Sequence, residues 1–268
     1  MAALAARHRL TLVLGVALLA CGCAARSPLD RAPSADEVVA ALAVREAALA
    51  NFRGQALLVY DGPQGTTRSS QMIAVQSPDR VRIDVMSPFG PSYTVAAYGE
   101  RLRAYDRGEK ILYVGSTTPE NLRKYTRVPL RIEVLALLIR GLPPLIAGHG
   151  AGRIEAGASS WLWEANIEGG GTLRVELGRP DLRPLRASVT AATPADALYV
   201  EFEQYKDVDG VAVPHRIRAR LGDGGVVELR YSRIWRAVRL TATAFQIDPP
   251  SEVRVVGMDV DEADAGKP

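Results

Sequence analysis

Reactive side chains are scarce in this 268-residue sequence, which has three histidines, two cysteines and only 6% aromatic residues. Both cysteines, Cys21 and Cys23, lie in the first thirty residues, so the remainder has no disulfide framework. His8 belongs to the same segment, which leaves His149 in a glycine-rich turn and His215 behind Pro214. Neither has neighbours with the Cys, His, Asp or Glu spacing of a metal site, and no metal is expected. Ser69-Ser70 and Ser159-Ser160 lack the strand–turn–helix context of a nucleophile elbow. Asp106, Asp181, Asp207 and Asp209 read as turn residues, and the glycines cluster in hairpins rather than in a phosphate cradle. No catalytic residue is expected, and the chain does not read as an enzyme. A strong charge excess is also missing. The formal net charge is +3, and close to +1 once Arg7 and Arg9 are set aside. Without a basic stripe there is no case for a nucleic-acid partner.

Long apolar runs are limited to one. Leu10–Leu19 follows the basic pair Arg7 and Arg9 and is shorter than the roughly 20 residues that span a bilayer as a helix. Small residues and the cysteines come next, at Ala20, Cys21, Gly22, Cys23, Ala24 and Ala25. This is the order of an export signal. It resembles the lipobox of bacterial lipoproteins, in which a small residue precedes a cysteine that becomes the lipidated N-terminus. Cleavage before Cys21 places Ala20 at the small position and is preferred, although Leu19 is bulky. Cleavage before Cys23, after Gly22, is the alternative. The resemblance implies an N-terminal diacylglycerol and an acyl chain such as palmitate. Each buried CH₂ contributes about 0.8 kcal/mol to membrane partitioning. Neither Gly22 nor Ala24 is the aspartate of an inner-membrane retention signal, so the expected location is the outer membrane, facing the periplasm.

The mature chain is organised in three parts. Residues 1–20 read as signal peptide and 21–35, with Pro28 and Pro33, as a lipidated tether. Residues 36–258 form one domain, and 259–268 an acidic flexible tail. Ser34 or Asp36 caps a helix reaching about Asn51. Period-two alternation then begins, at its cleanest in Arg80–Val85, where Val81, Ile83 and Val85 face opposite to Arg80, Arg82 and Asp84. About a dozen strands follow, to a last candidate at Val238–Phe245. Pro119–Tyr125 reads as a helical turn. Leu130–Ile139 packs Ile132, Val134, Leu135, Leu137, Leu138 and Ile139 into one short segment and ends at Gly141, Pro143 and Pro144, as either a core helix or a lid. The expected fold is mainly β: a strongly curved antiparallel incomplete β-barrel with a helical lid.

Three stretches carry a family resemblance: Phe52-Arg53-Gly54, with Ser77–Asp84 and Met86–Gly90; Tyr205–His215; and Phe245–Pro250. They resemble outer-membrane receptor-like proteins of the bacterial lipoprotein-localisation superfamily, over about residues 36–258. The middle of the chain departs from the standard receptor. The resemblance implies an apolar interior for the lipid of a cargo protein. Its implied partners are membrane lipid, lipoprotein cargo and a periplasmic carrier. It also implies acyl-chain contacts from Leu135, Leu138 and Ile139 on the short helix and from Val81, Ile83 and Val85 on the sheet. Trp161 and Trp163 pack inside with them. Phe89, between Pro88 and Gly90, matches an exposed loop residue for membrane insertion. The alternatives are that these side chains close a dry core, that Phe89 is a buried turn aromatic, and that the protein is an assembly lipoprotein that binds protein partners.

Overall fold

The computed structural model describes residues 31–259 apart from 63–64, 146–151, 168–169, 192 and 194–196. Helix α1 (Ala35–Ala48) opens on a capping box: Ser34 Oγ accepts from the Glu37 amide at 3.1 Å, and the Ser34 amide donates back to Glu37 Oε2 at 2.7 Å. Val38 and Leu42, four residues apart on one helical face, are buried against the sheet.

Six strands then run as an antiparallel meander: β1 (Asn51–Gly62), β2 (Gly65–Gln76), β3 (Arg80–Ser87), β4 (Gly90–Tyr98), β5 (Arg101–Asp106) and β6 (Ile111–Ser116). Two helices follow, α2 (Pro119–Thr126) and α3 (Ile132–Ile139). A second meander comprises β7 (Arg153–Ala156), β8 (Ser160–Asn166), β9 (Gly171–Gly178), β10 (Pro184–Ala191), β11 (Leu198–Val208), β12 (Val211–Leu221) and β13 (Val226–Arg236). The meanders join where β1 pairs antiparallel with β13. A 3₁₀ turn (Ala242–Phe245) leads to β14 (Arg254–Gly257), which pairs parallel with β6.

These strands form one open sheet, in the order β14-β6-β5-β4-β3-β2-β1-β13-β12-β11-β10-β9-β8-β7. This corrects the expected incomplete barrel. The sheet is not strongly curled, and its edges, the four-residue strands β14 and β7, do not pair with each other. The discrepancy has a simple origin. Alternation along a strand fixes which face is buried, and hairpin lengths fix which strands are neighbours, but neither specifies curvature. A helix-covered open sheet satisfies the same pattern, and short edge strands limit edge-to-edge pairing.

The order also explains what covers each face. β6 lies next to one edge and β7 forms the other, so the connection between them returns across the sheet, carrying α2 and α3. Helix α3 packs against β2 and β3. Six of its eight residues are buried: Ile132, Leu135, Ala136, Leu137, Leu138 and Ile139. An isolated helix shorter than about 12–15 residues is marginal in water, so burial holds α3 in place. Among the described residues no helix is long and apolar enough to cross a membrane.

The opposite face of β3–β6 is crossed by the segment after β13. There Ile247 packs on Ala96 and Leu112 as a separate small core, and Arg82 donates to the Gln246 carbonyl at 2.9 Å. Val238–Phe245, expected as a strand, is irregular and ends in the 3₁₀ turn. Ala237 leaves β13 at φ 53°, and the chain then lies over the sheet rather than beside it, with no neighbouring ladder to join.

Candidate functional site

Alternate residues of β2 define the wall of an apolar cavity. Thr67 is exposed, Ser69 half-buried, and Gln71 and Ile73 are buried, so one strand face descends from solvent into the interior. Ile83 and Val85 of β3, Tyr93 and Val95 of β4, and Leu58 of β1 extend this wall on one side, and Val227 and Leu229 of β13 on the other. Leu135 and Ile139 of α3 close it from above, with Tyr125, Thr126, Arg127 and Val128 at the end of α2. The cavity, open to solvent on one side, has a volume of about 170 Å³.

Helix α3 is fixed over this space by its C-terminus. The Leu142 amide donates to the Leu137 carbonyl at 3.0 Å and the Gly141 amide to Leu138 at 2.9 Å, a Schellman ending with Gly141 at φ 75°. Tyr231 of β13 donates its hydroxyl to the Ile139 carbonyl at 2.7 Å, joining the last helical turn to the sheet. Its ring meets Phe52 edge-on, with centroids 5.6 Å apart.

The site is lined by neutral groups apart from one arginine at its mouth. Burial, reinforced by Tyr125, Asp106 and Tyr113, pushes the Tyr93 phenol far above its ordinary value, against the pull of Arg127. Tyr125 is raised too, first by burial and then by Tyr113, whose ring centroid lies 5.1 Å away. Both phenols are therefore uncharged at neutral pH, and among the described residues of the lining Arg127, exposed at the mouth, is the one ionic side chain.

Gln71 is the anomaly of the lining. It is 5% exposed, its Nε2 donates to Ser69 Oγ at 3.2 Å, and its buried Oε1 accepts no hydrogen bond among the described residues.

The residues singled out from the sequence divide into three groups. Ile83, Val85, Leu135 and Ile139 come together in the cavity wall. Val81, Leu138, Trp161 and Trp163 are buried in the main core and do not line the cavity. Trp161 instead lies under the Arg179 guanidinium, 3.7 Å from the ring centre. Phe89 stands apart, 90% exposed in the turn between β3 and β4, where Ser87 Oγ accepts from its amide at 3.2 Å. Cys21, Cys23 and His149 lie outside the described residues. His215 is buried, with Nδ1 3.2 Å from the Val213 carbonyl. No group of three or more His, Cys, Asp or Glu side chains among the described residues is placed to hold a metal ion.

Sequence reasoning missed Thr67, Ser69, Gln71, Tyr93 and Tyr125. The available signal was parity: counting back by twos from Ile73 places all three polar β2 residues on the inward face. A polar run at a strand end ordinarily reads as solvated surface, which hid it.

A scan of protein-family models finds no match to the chain, and a search of curated proteins finds none either. Solved structures do match in fold. A DUF1329 family protein from Desulfovibrio piger superposes with a TM-score of 0.57 at 13% identity, covering 80% of this chain and 98% of that one. A LolA superfamily protein from Nitrosomonas europaea gives 0.55 at 12% identity, covering 81% and 99%. A putative outer-membrane lipoprotein-sorting protein domain from Vibrio parahaemolyticus gives 0.52 at 12% identity, covering 79% and 95%. These likenesses, all at 13% identity or below, are likenesses of fold.

Proposed function

We propose that this protein is an outer-membrane lipoprotein, anchored through Cys21 or else Cys23 and facing the periplasm. Its cavity takes an acyl chain of a membrane lipid or lipoprotein cargo and assists localisation or transfer of that cargo. The observation that carries the reading is the cavity under α3, walled by Ile73, Ile83, Val85, Val95, Leu135 and Ile139. An acyl chain gains about 25 cal/mol for each Å² of apolar surface it withdraws from water, and such a wall offers it little polar competition. At about 170 Å³ the space falls below the roughly 300–1,000 Å³ of pockets that enclose drug-sized ligands. It therefore seats a segment of one chain rather than a whole two-chain lipid.

The fold shared with a LolA superfamily protein and a lipoprotein-sorting protein domain supports this reading, and so does a lining that is mostly apolar. Binding and release, rather than bond chemistry, is the activity such a pocket performs. Phe89, held out on the β3–β4 turn, is assigned to membrane contact.

The test is saturable binding of a fluorescent acyl probe to the soluble form lacking Cys21 and Cys23. Purified lipoprotein is expected to displace the probe. Ile83→Trp, which fills the cavity from its wall, is expected to abolish binding while the far-ultraviolet circular dichroism stays native. Absence of saturable binding by the folded soluble form would overturn the proposal.

A further inference from the structure

We infer that Gln71 is a polar anchor that selects acyl chains joined through an amide over chains joined through an ester. The inference rests on the reading of the cavity as an acyl-chain site and names the head-group chemistry that site prefers.

Three observations converge on it. First, Gln71 sits on the cavity wall although it is 5% exposed and shares its strand face with Ile73. A buried carboxamide is costly unless its hydrogen bonds are made, and about nine in ten buried polar groups make them. Second, half of this carboxamide is satisfied and half is not. Nε2 donates to Ser69 Oγ at 3.2 Å, while Oε1 accepts no hydrogen bond among the described residues. Third, the position suits a head group. On the same strand face Thr67 and Ser69 lead outward to solvent and Ile73 leads inward to the apolar wall. A chain lying along β2 with its tail at Ile73 places its first polar linkage beside Gln71.

The ligand chemistry follows from what an oxygen acceptor needs. Oε1 is completed by a donor. An amide linkage carries an N–H beside its acyl carbonyl, whereas an ester carries only acceptors and leaves Oε1 unmet. Sites built to hydrogen-bond a polar group discriminate against an analogue that lacks it, because their own buried group is then left unpaired. The carboxamide is uncharged, so the preference does not depend on the Arg127 charge at the mouth.

The experiment compares two fluorescent probes of equal chain length, one linked by a secondary amide and one by the matching ester, on the soluble form lacking Cys21 and Cys23. The expected result is about tenfold tighter binding of the amide probe. In Gln71→Met, which keeps length and removes the acceptor, the two probes are expected to bind alike, with the ester probe retaining at least its original affinity. Because the free protein loses an unpaired buried oxygen, the melting temperature of Gln71→Met is expected to equal or exceed that of the unaltered chain. Equal binding of both probes by the unaltered protein overturns the inference and leaves the acyl-chain site standing. So does an amide preference that persists in Gln71→Met. If the unaltered protein binds neither probe, the acyl-chain reading itself fails.

Discussion

The guanidinium of Arg140 is completely buried at the end of α3, with Nη2 3.3 Å from Glu46 Oε1 on α1. The pair joins the helix over the cavity to the helix that opens the domain. Burial lowers the Arg140 pKa, while the charge of Glu46 and its hydrogen bond oppose that shift. Arg140 Nε also donates to the Ala136 carbonyl at 2.9 Å, and Glu46 Oε1 accepts from Ser77 Oγ at 3.1 Å.

The two partners are not equivalent, and the first prediction uses the difference. Glu46 is 33% exposed in its side chain and Arg140 is 0% exposed. Glu46→Ala strands a buried cation and is expected to cost about 2–3 kcal/mol, the lower end of what breaking a buried pair costs, because water reaches one side. Arg140→Met leaves a carboxylate that water can solvate and fills the volume with apolar atoms, so the loss is smaller. Urea denaturation of both variants checks the order. A larger loss in Arg140→Met would mean that packing of the guanidinium, not charge, holds α3.

Gly141 is the second point of control over α3. Its φ of 75° ends the helix, and a Cβ there would lie 2.3 Å from Pro214 Cγ on β12. Gly141→Ala therefore combines left-handed backbone strain of about 1–2 kcal/mol with a collision that must push α3 or β12 aside. The expected outcome is a lower melting temperature together with altered acyl-probe affinity, since α3 carries Leu135 and Ile139. A stability loss with unchanged affinity would separate the helix ending from the cavity.

Local signals in this chain were legible where a residue's own chemistry decides the structure. Ser34 and Glu37 announce the start of α1, and the alternation of Val81, Ile83 and Val85 gives the inward face of β3. Four residues expected at the site do line the cavity. What could not be read depends on distant partners. Trp161 and Trp163 share the inward parity of the cavity residues, but β8 lies near the far edge of the sheet, a fact set by strand order rather than by pattern. The four-residue strands β7 and β14 are too short to show a period, and β14 exists because the chain returns to β6. Gln71 was hidden for the opposite reason: its inward direction is visible by counting, but nothing local marks Oε1 as unmatched.

Phe89 supplies the third prediction. With its ring 90% exposed, it contributes little to folded-state packing. Phe89→Glu is expected to leave the melting temperature within about 0.5 kcal/mol equivalent of the unaltered protein. The same change should weaken binding of the soluble form to phospholipid vesicles, because it replaces an aromatic ring that partitions at the interface with a charge that does not. Acyl-probe affinity should be unaffected, since Phe89 is outside the cavity lining. Unchanged vesicle binding would remove Phe89 from any membrane role.

His215 gives the fourth prediction, on pH. Burial lowers its pKa from the ordinary value of 6.5, partly opposed by the hydrogen bond to the Val213 carbonyl, while nearby Lys206 lowers it further. The native state therefore takes up a proton at lower pH than the unfolded chain. As pH falls below about 6.5, the unfolded chain gains a proton that the folded protein still refuses, and stability declines. The decline from this residue stops once pH passes below the native value. Its slope is at most about 1.4 kcal/mol per pH unit for one proton. His215→Gln removes the titrating group and is expected to flatten the stability profile between pH 7 and pH 5, whatever it does to absolute stability. His149 is present in both proteins, so the difference between their profiles belongs to His215. Urea midpoints measured across that range decide the matter. Parallel profiles would mean that the ring is as easily protonated in the folded protein as in the unfolded chain.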